Sequence, residues 1–307
     1  MRILVTGASG LLGLNLSLHL GSAHKVFGIL HSQGLREPPF QTFKDDFSNF
    51  GSLESLVSKA RPDLLINCAA MANLDTCESQ PEEAHRVNAE LPGALAVICK
   101  IKGIRFIHIS TDAVFDGRMG DYSEEDVPNP ISVYAKTKLE GESIVAGEYP
   151  EAIIARVNFY GYSLSGKRSL AEFFLNNLKA GNKVNGFVDV MFCPLYVTDL
   201  VSTLMQMIDR ELKGLFHVVS PETLSKYAFG VKIANRFGFD RDLIQPKSVT
   251  ASYLRAARSP RLSLIIDKLK KSEITPPGQD DCIEHFYRHN EENLPEKIKA
   301  FSDFNNS

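Results

Sequence analysis

Tyr134 and Lys138 stand four residues apart, and the hydroxyl pair Ser110-Thr111 lies about twenty residues upstream. These are residue types from which a proton-transfer site can be built. A phenol, with a pKa near 10, moves protons poorly at neutral pH unless a nearby cation favours its phenolate. Positions four apart share a helix face, so Lys138 is placed to be that cation. Alone, the Tyr-x-x-x-Lys spacing is common, and a half-buried Tyr beside a solvated Lys produces it equally well. A strand ending at Ser110-Thr111 changes its meaning, because hydroxyl, phenol and ammonium then converge at the carboxyl ends of parallel strands. A second group is Gly7-Ala8-Ser9-Gly10-Leu11-Leu12-Gly13, between an apolar run and a helical pattern. Glycines there permit a tight turn, let backbone N–H groups approach a pyrophosphate, and leave the positive end of a helix to hold it.

The elements that must position these residues follow from periodicity. Ile3-Leu4-Val5, Lys25 to Leu30, Leu64 to Asn67 and Arg105 to Ile109 read as strands. Leu11 to Leu20, Ser52 to Lys59 and Pro81 to Lys100 carry apolar residues at helical spacing. Alternation of the two predicts an α/β fold, a Rossmann-type doubly wound parallel sheet with helices on both faces. A helix from Tyr134 to about Glu148 and a strand at Ala152 to Arg156 extend it. Beyond Ser163 the pattern loosens into helices at 169–180, 198–210 and 226–237 and a strand-like piece near Gly186 to Val188. The expected division is a nucleotide-binding domain over 1–162, with 184–218 returning partly to it, and a smaller α/β substrate-binding domain over 163–307. The tail from Phe301 is expected to fray.

Composition excludes several classes. Lys+Arg 34 against Asp+Glu 37 gives a net charge of -3 over 307 residues, with no basic field to draw the chain onto nucleic acid or a membrane surface. No stretch approaches the ~18 apolar residues of a membrane span, and the first apolar run is too short for a signal peptide, so a cytoplasmic protein is expected. The five cysteines are odd in number, scattered and without a C-x-x-C pair, which points to free thiols. Cys282, His285 and His289 share helical spacing but lack the carboxylate and water logic of a metal site, so no metal is expected.

The second strand ends Leu30-His31-Ser32-Gln33, where an NAD site usually presents a carboxylate to the adenosine ribose. Its absence leaves space for a 2′-phosphate, with His31, Ser32 and Arg36 as donors. NADP is expected, with NAD as the second choice.

Jointly these motifs resemble the extended short-chain dehydrogenases/reductases, and more narrowly the dTDP-4-dehydrorhamnose reductase (RmlD-like) branch, over roughly residues 1–270. Gly7, Gly10 and Gly13 match the cofactor glycines, Asp46-Phe47 resembles the pair beside the adenine, and Asn67-Cys68-Ala69-Ala70 resembles the turn under the cofactor. Asp75, Glu78 and Asn88 fall at the family spacing. Ser110-Thr111-Asp112 with Val114-Phe115-Asp116-Gly117 resembles the family's active-strand signature, and Pro130, Tyr134, Lys138, Gly141 and Glu142 fall on its catalytic-helix pattern.

The resemblance implies an NAD(P)H-dependent reductase of a 4-keto nucleotide-sugar. Tyr134 would protonate the carbonyl oxygen, Thr111 would polarise it, and Lys138 would lower the Tyr134 pKa and hold the nicotinamide ribose. The implied cofactor contacts are Gly7, Ser9, Gly10, Leu11, Leu12, Gly13, His31, Ser32, Asp46, Phe47, Cys68, Ala69, Ala70, Ser110, Tyr134 and Lys138. Implied substrate contacts are Met71, Asn73, Asp112, Asn158 and Arg258, with Lys167, Arg168 and Arg261 as further cations for a sugar-nucleotide diphosphate. Homodimers are common in this family. Departures from its pattern cluster in substrate positions: Met71, Ala113, Ala135, Asp189-Val190 with Pro194-Leu195, and Arg258 to Ile265. Ala113 replaces the Glu that dehydratases carry after Thr-Asp, which argues against elimination chemistry. Two further readings share the fold: a nucleotide-sugar epimerase, and a non-catalytic NADP-binding regulatory subunit resembling that of methionine adenosyltransferase.

Overall fold

The computed structural model describes residues 1–45, 47, 49–249 and 259–302. The expectations for Asp46 and Arg258 lie outside the described residues. Seven strands form one parallel sheet: β1 (Arg2–Thr6), β2 (Lys25–Leu30), β3 (Gln41–Lys44), β4 (Leu64–Asn67), β5 (Arg105–Thr111), β6 (Ile153–Val157) and, after the short pairs β7 (Phe159–Tyr160), β8 (Val184–Phe187), β9 (Met191–Phe192) and β10 (Leu195–Tyr196), β11 (Gly214–Val218). Their spatial order is β11-β6-β5-β4-β1-β2-β3. The order reverses between β1 and β4, and at that switch point an open α/β sheet leaves a crevice for a ligand.

Strand alternation sends Leu4, Leu65 and Phe106 to one face, where they meet Leu53 and Val57 of α2 (Phe50–Ala60). Ile3, Val5 and Ile66 go to the other, against Leu14 and Leu16 of α1 (Leu11–Leu20). Within its ten residues α1 contains Gly13, Asn15 and Ser17, all weak helix formers. Burial of Leu12, Leu14, Leu16 and Leu20, about 1.5–3 kcal/mol each, therefore holds this helix more than intrinsic preference does.

The single helix expected over 81–100 is broken into pieces. After α3 (Leu74–Ser79), α4 (Pro81–His85) passes through a π-helical turn at Arg86–Glu90 into α5 (Leu91–Lys102). Pro92 has no N–H to give to the carbonyl of Asn88, so that turn cannot close in α form, and the Leu91 N–H reaches back to Arg86 instead. The freed Asn88 carbonyl faces Gly141 of α6 (Val133–Glu148), where any Cβ would overlap it. β3 was not expected; four half-exposed edge residues carry no readable alternation.

The rest of the chain carries α7 (Leu170–Lys179), α8 (Val197–Asp209), α9 (Lys226–Phe237), α10 (Asp267–Lys271), α11 (Gln279–Glu291) and α12 (Leu294–Ala300), with short strands β12 (Leu224–Ser225), β13 (Ile244–Lys247) and β14 (Arg261–Leu262). α8 packs beside α1 on the main sheet, and β11 pairs with β6. Tyr160, Tyr196, Phe229 and Phe286 pack edge-on in a buried aromatic cluster, and Tyr162 stacks on Phe286 at 4.3 Å. The Asn15 amide donates to the Tyr162 carbonyl at 2.8 Å, tying α1 to this region. Of the tail, Phe301 and Ser302 are held: the Phe301 carbonyl accepts the Arg36 N–H at 2.9 Å, and the Ser302 hydroxyl donates to Leu164.

Two glycines on α6 should respond oppositely to alanine. Gly141→Ala must push Asn88 aside and should destabilise by about 1–3 kcal/mol. Gly147, with open space at its Cβ position, should gain up to about 1 kcal/mol. Urea denaturation midpoints read both signs.

Candidate active site

At the switch point three glycines let backbones touch. Gly7, at φ +64, would place a Cβ 2.9 Å from the Ala69 backbone. A Cβ on Gly13 would overlap the Gly7 carbonyl, and one on Gly10 would lie 3.1 Å from it. Gly10 is the N-cap of α1 and contributes no side chain, so the first-turn N–H groups are left for a ligand. On the β4 side the Thr6 hydroxyl donates to Asn67 Oδ1 at 2.5 Å and accepts the Ala69 N–H at 3.2 Å, fixing the turn under the loop. An uncapped helix N-terminus behind a cradle that a Cβ would fill fits a dinucleotide pyrophosphate.

One continuous cleft runs along these ends. At one end it is lined by Gly7, Ser9, Gly10, His31, Ser32, Phe47, Cys68, Ala69 and Ala70, with the His31 ring stacked on Phe47 at 5.8 Å. It opens into a space of about 620 Å³ bounded by Leu11, Leu12, Gly13, Met71, Asn73, Ser110, Thr111, Tyr134 and Lys138. Arg36 does not line the cleft, and neither does Lys167; Arg168 does, in both parts. Burial pushes the Cys68 thiol up to about 12, so it is a neutral wall rather than a nucleophile.

Thr111 ends β5, while Tyr134 and Lys138 occupy the first turns of α6, whose N-cap Ser132 accepts the Ala135 N–H at 3.2 Å. The Val133 N–H is taken by Glu78 at 2.9 Å, which explains a carboxylate at that position. The neighbouring Thr111 hydroxyl favours the Tyr134 phenolate, yet desolvation outweighs it and pushes the phenol up to about 12. This corrects the expected lowering of Tyr134 by Lys138. The Lys138 ammonium is turned onto the Ile109 carbonyl at 2.6 Å and lies 3.5 Å from His108 Nε2. Burial brings Lys138 down to about 8 against the opposing pull of Glu142. His108, fully buried, is held well below its ordinary pKa by desolvation and by Lys138, and its Nδ1 lies 3.1 Å from the Asn67 amide.

The residues around the trio divide between cleft and core. Although Ser110 lines the cleft, its hydroxyl is committed to Glu142 at 2.5 Å. Glu142 forms a buried ion pair with Arg156 at 2.8 Å, and that guanidinium also lies over the Phe115 ring. Asn73 Oδ1 is used as the N-cap of α3, accepting the Thr76 N–H at 2.9 Å. Met71 is pinned by Asn88, whose amide accepts the Met71 N–H at 2.9 Å and donates to the Met71 carbonyl and to Thr137, both at 3.1 Å. Asp112 is buried, accepts from Asn158 at 2.5 Å, and is pushed up to about 6 by desolvation. Arg261 lies exposed on β14. Spacing did not reveal His108, Arg156 or the cleft position of Arg168; the Lys138–Glu142 helix repeat was the only available signal for the charge network.

The histidines near the C-terminus diverge. His285 pairs with Asp199 at 2.8 Å and His289 with the Tyr196 hydroxyl at 2.7 Å. Among the described residues no cluster of His, Cys, Asp and Glu is arranged to hold a metal ion, and no helix is long and apolar enough to cross a membrane.

A parallel sheet with a glycine loop at its switch point and a Thr-Tyr-Lys cluster beside it defines the extended short-chain dehydrogenase/reductase class. Residues 1–291 match the RmlD substrate binding domain, and the chain belongs to that family. It is 38% identical over 273 residues to "Probable low-salt glycan biosynthesis reductase Agl14" of Haloferax volcanii, covering 86% of this chain and 89% of that one. It is 31% identical to methionine adenosyltransferase 2 subunit beta of Pongo abelii, over 85% of this chain and 78% of the relative. A dTDP-4-dehydrorhamnose reductase structure from Clostridium acetobutylicum superposes with a TM-score of 0.80 at 27% identity, over 95% of this chain and all of that one.

Asp112 should leave a signature in stability. Its folded pKa of about 6 lies above the 3.8 of an ordinary aspartate, so its contribution is full below about pH 4 and is lost as pH rises through 6. Asp112→Asn should therefore gain stability relative to the parent between pH 4 and 7 and then level off. Urea titrations across that range check it, and a constant difference would show that Asp112 ionises normally.

Proposed function

We propose that the chain is an NADP-dependent reductase of a 4-keto nucleotide-sugar, like the dTDP-4-dehydrorhamnose reductases. The observation that carries this is the convergence of Thr111, Tyr134 and Lys138 on a cleft continuous with the glycine loop. The loop, the α1 N-terminus and the Cys68-Ala69-Ala70 turn would hold the dinucleotide. The His31-Ser32 wall, which carries no carboxylate, favours NADP over NAD. When bound, the reduced nicotinamide supplies a hydride to the carbonyl carbon.

The protein's part is proton delivery. A phenol with its pKa near 12 is protonated at neutral pH, the state a donor to a carbonyl oxygen needs. Thr111, whose hydroxyl donates to Asp112 at 3.2 Å, could turn that donor to the same oxygen and fix its position. Lys138, one helical turn on, would have to leave the Ile109 carbonyl to reach the phenolate once the proton has left. Asp112, expected with Asn158 to meet the substrate, is instead joined to Asn158 at 2.5 Å, and neither is among the residues that bound the cleft. We place this activity in the cytoplasm, in a homodimer.

A second reading, dinucleotide binding without turnover, is favoured by the likeness to methionine adenosyltransferase 2 subunit beta. One experiment separates them. With NADPH and 4-keto-6-deoxy nucleotide-sugars, the parent protein should oxidise NADPH, and Tyr134→Phe should lower kcat by about 10²–10⁴-fold while binding NADPH within a few-fold of the parent. Turnover that survives in Tyr134→Phe would remove Tyr134 as proton donor. Binding by the parent with no oxidation of NADPH by any such sugar would favour the regulatory reading.

A further inference from the structure

We propose that Arg168 clamps the diphosphate of the dinucleotide from the side of the cleft opposite the glycine loop. This rests on the reading that the cleft holds a nicotinamide dinucleotide. Arg168 borders three contiguous parts of the crevice: one with His31 and Gln33, one with Ser9 and Leu11, and one with Leu12 and Tyr134. A side chain common to all three stands at the middle of the groove, beside a loop whose backbone donors are free to take an anion.

The backbone around Arg168 is braced, while its guanidinium is unclaimed. Glu172, buried in the first turn of α7, accepts the N–H groups of Ser163 at 2.7 Å, Arg168 at 2.9 Å and Ser169 at 3.0 Å, together with the Ser163 hydroxyl at 2.8 Å. The Asn176 amide holds the Gly166 carbonyl at 2.7 Å. Four donors satisfy the nearest carboxylate, so it does not capture the neighbouring guanidinium. Among the described residues the Arg168 guanidinium has no hydrogen-bond or ion-pair partner. A planar fork of donors on a fixed loop, opposite an uncapped helix N-terminus, suits a diphosphate, whose oxygens it can take two at a time. The loop belongs to the segment after β7, so the clamp would join cofactor binding to the substrate side of the molecule.

Calorimetric titration of NADPH, NADH and dTDP into the full chain tests this with Arg168→Ala, Arg168→Lys and, as a surface-charge control, Lys167→Ala. Arg168→Ala should weaken NADPH and NADH by the same factor, about 10–100-fold. Arg168→Lys should recover part of that, and Lys167→Ala should change nothing. Parent affinity should fall more steeply with added NaCl than that of Arg168→Ala. Unfolding midpoints of the ligand-free variants should match the parent, separating a lost contact from a damaged loop. Unchanged affinity for both dinucleotides would overturn the proposal. So would a loss confined to NADPH, which would move the contact to the 2′-phosphate, or a loss confined to dTDP, which would assign Arg168 to the sugar nucleotide. A parent chain that binds neither dinucleotide would overturn the reductase reading itself, whereas one that binds without turnover leaves the clamp standing to be judged by the same titrations.

Discussion

The approach of the Gly7 backbone to Ala69, close enough that a methyl group between them would sit 2.9 Å from main-chain atoms, sets the geometry on which the rest of the cleft depends. β1 and β4 are neighbours in the sheet, and their crossover helices leave for opposite faces. The loops above them must therefore part, and the groove between is wide enough for a nucleotide only if the walls carry no side chains. Gly13 extends the same logic inward, letting the first turn of α1 rest on the Gly7 carbonyl. The Thr6 hydroxyl then locks the two walls together by bridging Asn67 and Ala69. Backbone proximity, more than any side chain, makes this end of the molecule ready for an anion.

The other end of the cleft is built from buried charge. Lys138, His108, Glu142 and Arg156 are each buried, an arrangement that costs stability unless every group is partnered. Here the partners are found: Lys138 on the Ile109 carbonyl, Glu142 on Ser110 and Arg156, and Arg156 near His217 Nε2 at 3.4 Å. His217 Nδ1 lies 3.1 Å from the Ile265 carbonyl, and its pKa, brought down to about 3 by desolvation and by Arg156, keeps the ring neutral. A neutral ring donating from Nδ1 leaves Nε2 as the acceptor that the guanidinium needs. The network fixes the end of β5 against α6, and with it the relation of Thr111 to Tyr134.

Much of this frame was legible because it rests on local rules. β2 and β4 fall where short apolar runs place them, and α9 where its spacing does. The Tyr134-Lys138 repeat and the glycine loop could be read because their chemistry requires fixed spacing. What could not be read was set by contacts between distant segments. The π-turn at Arg86–Glu90 arises from Pro92 and is accommodated by Gly141, about fifty residues away. The rise of Tyr134 to about 12, where spacing pointed to a fall, comes from enclosure by elements that no local pattern reveals. Of the candidate cations Lys167, Arg168 and Arg261, only contacts between distant segments could single out Arg168, the one that borders the cleft.

The departures from the family pattern have a physical account that sequence comparison alone does not supply. Leu195, one of those departures, is fully buried and pairs with Phe159 in a short parallel ladder. An apolar side chain there adds to the core, and the Leu195 N–H holds the carbonyl of Asn158, the residue that steadies Asp112. Asp189 accepts the Val249 N–H at 2.9 Å, so its carboxylate is engaged in fixing chain. Leu195 thus braces Asn158 and, through it, Asp112. If the cleft holds a sugar as proposed, Leu195 would act on it indirectly, through the Asn158 backbone.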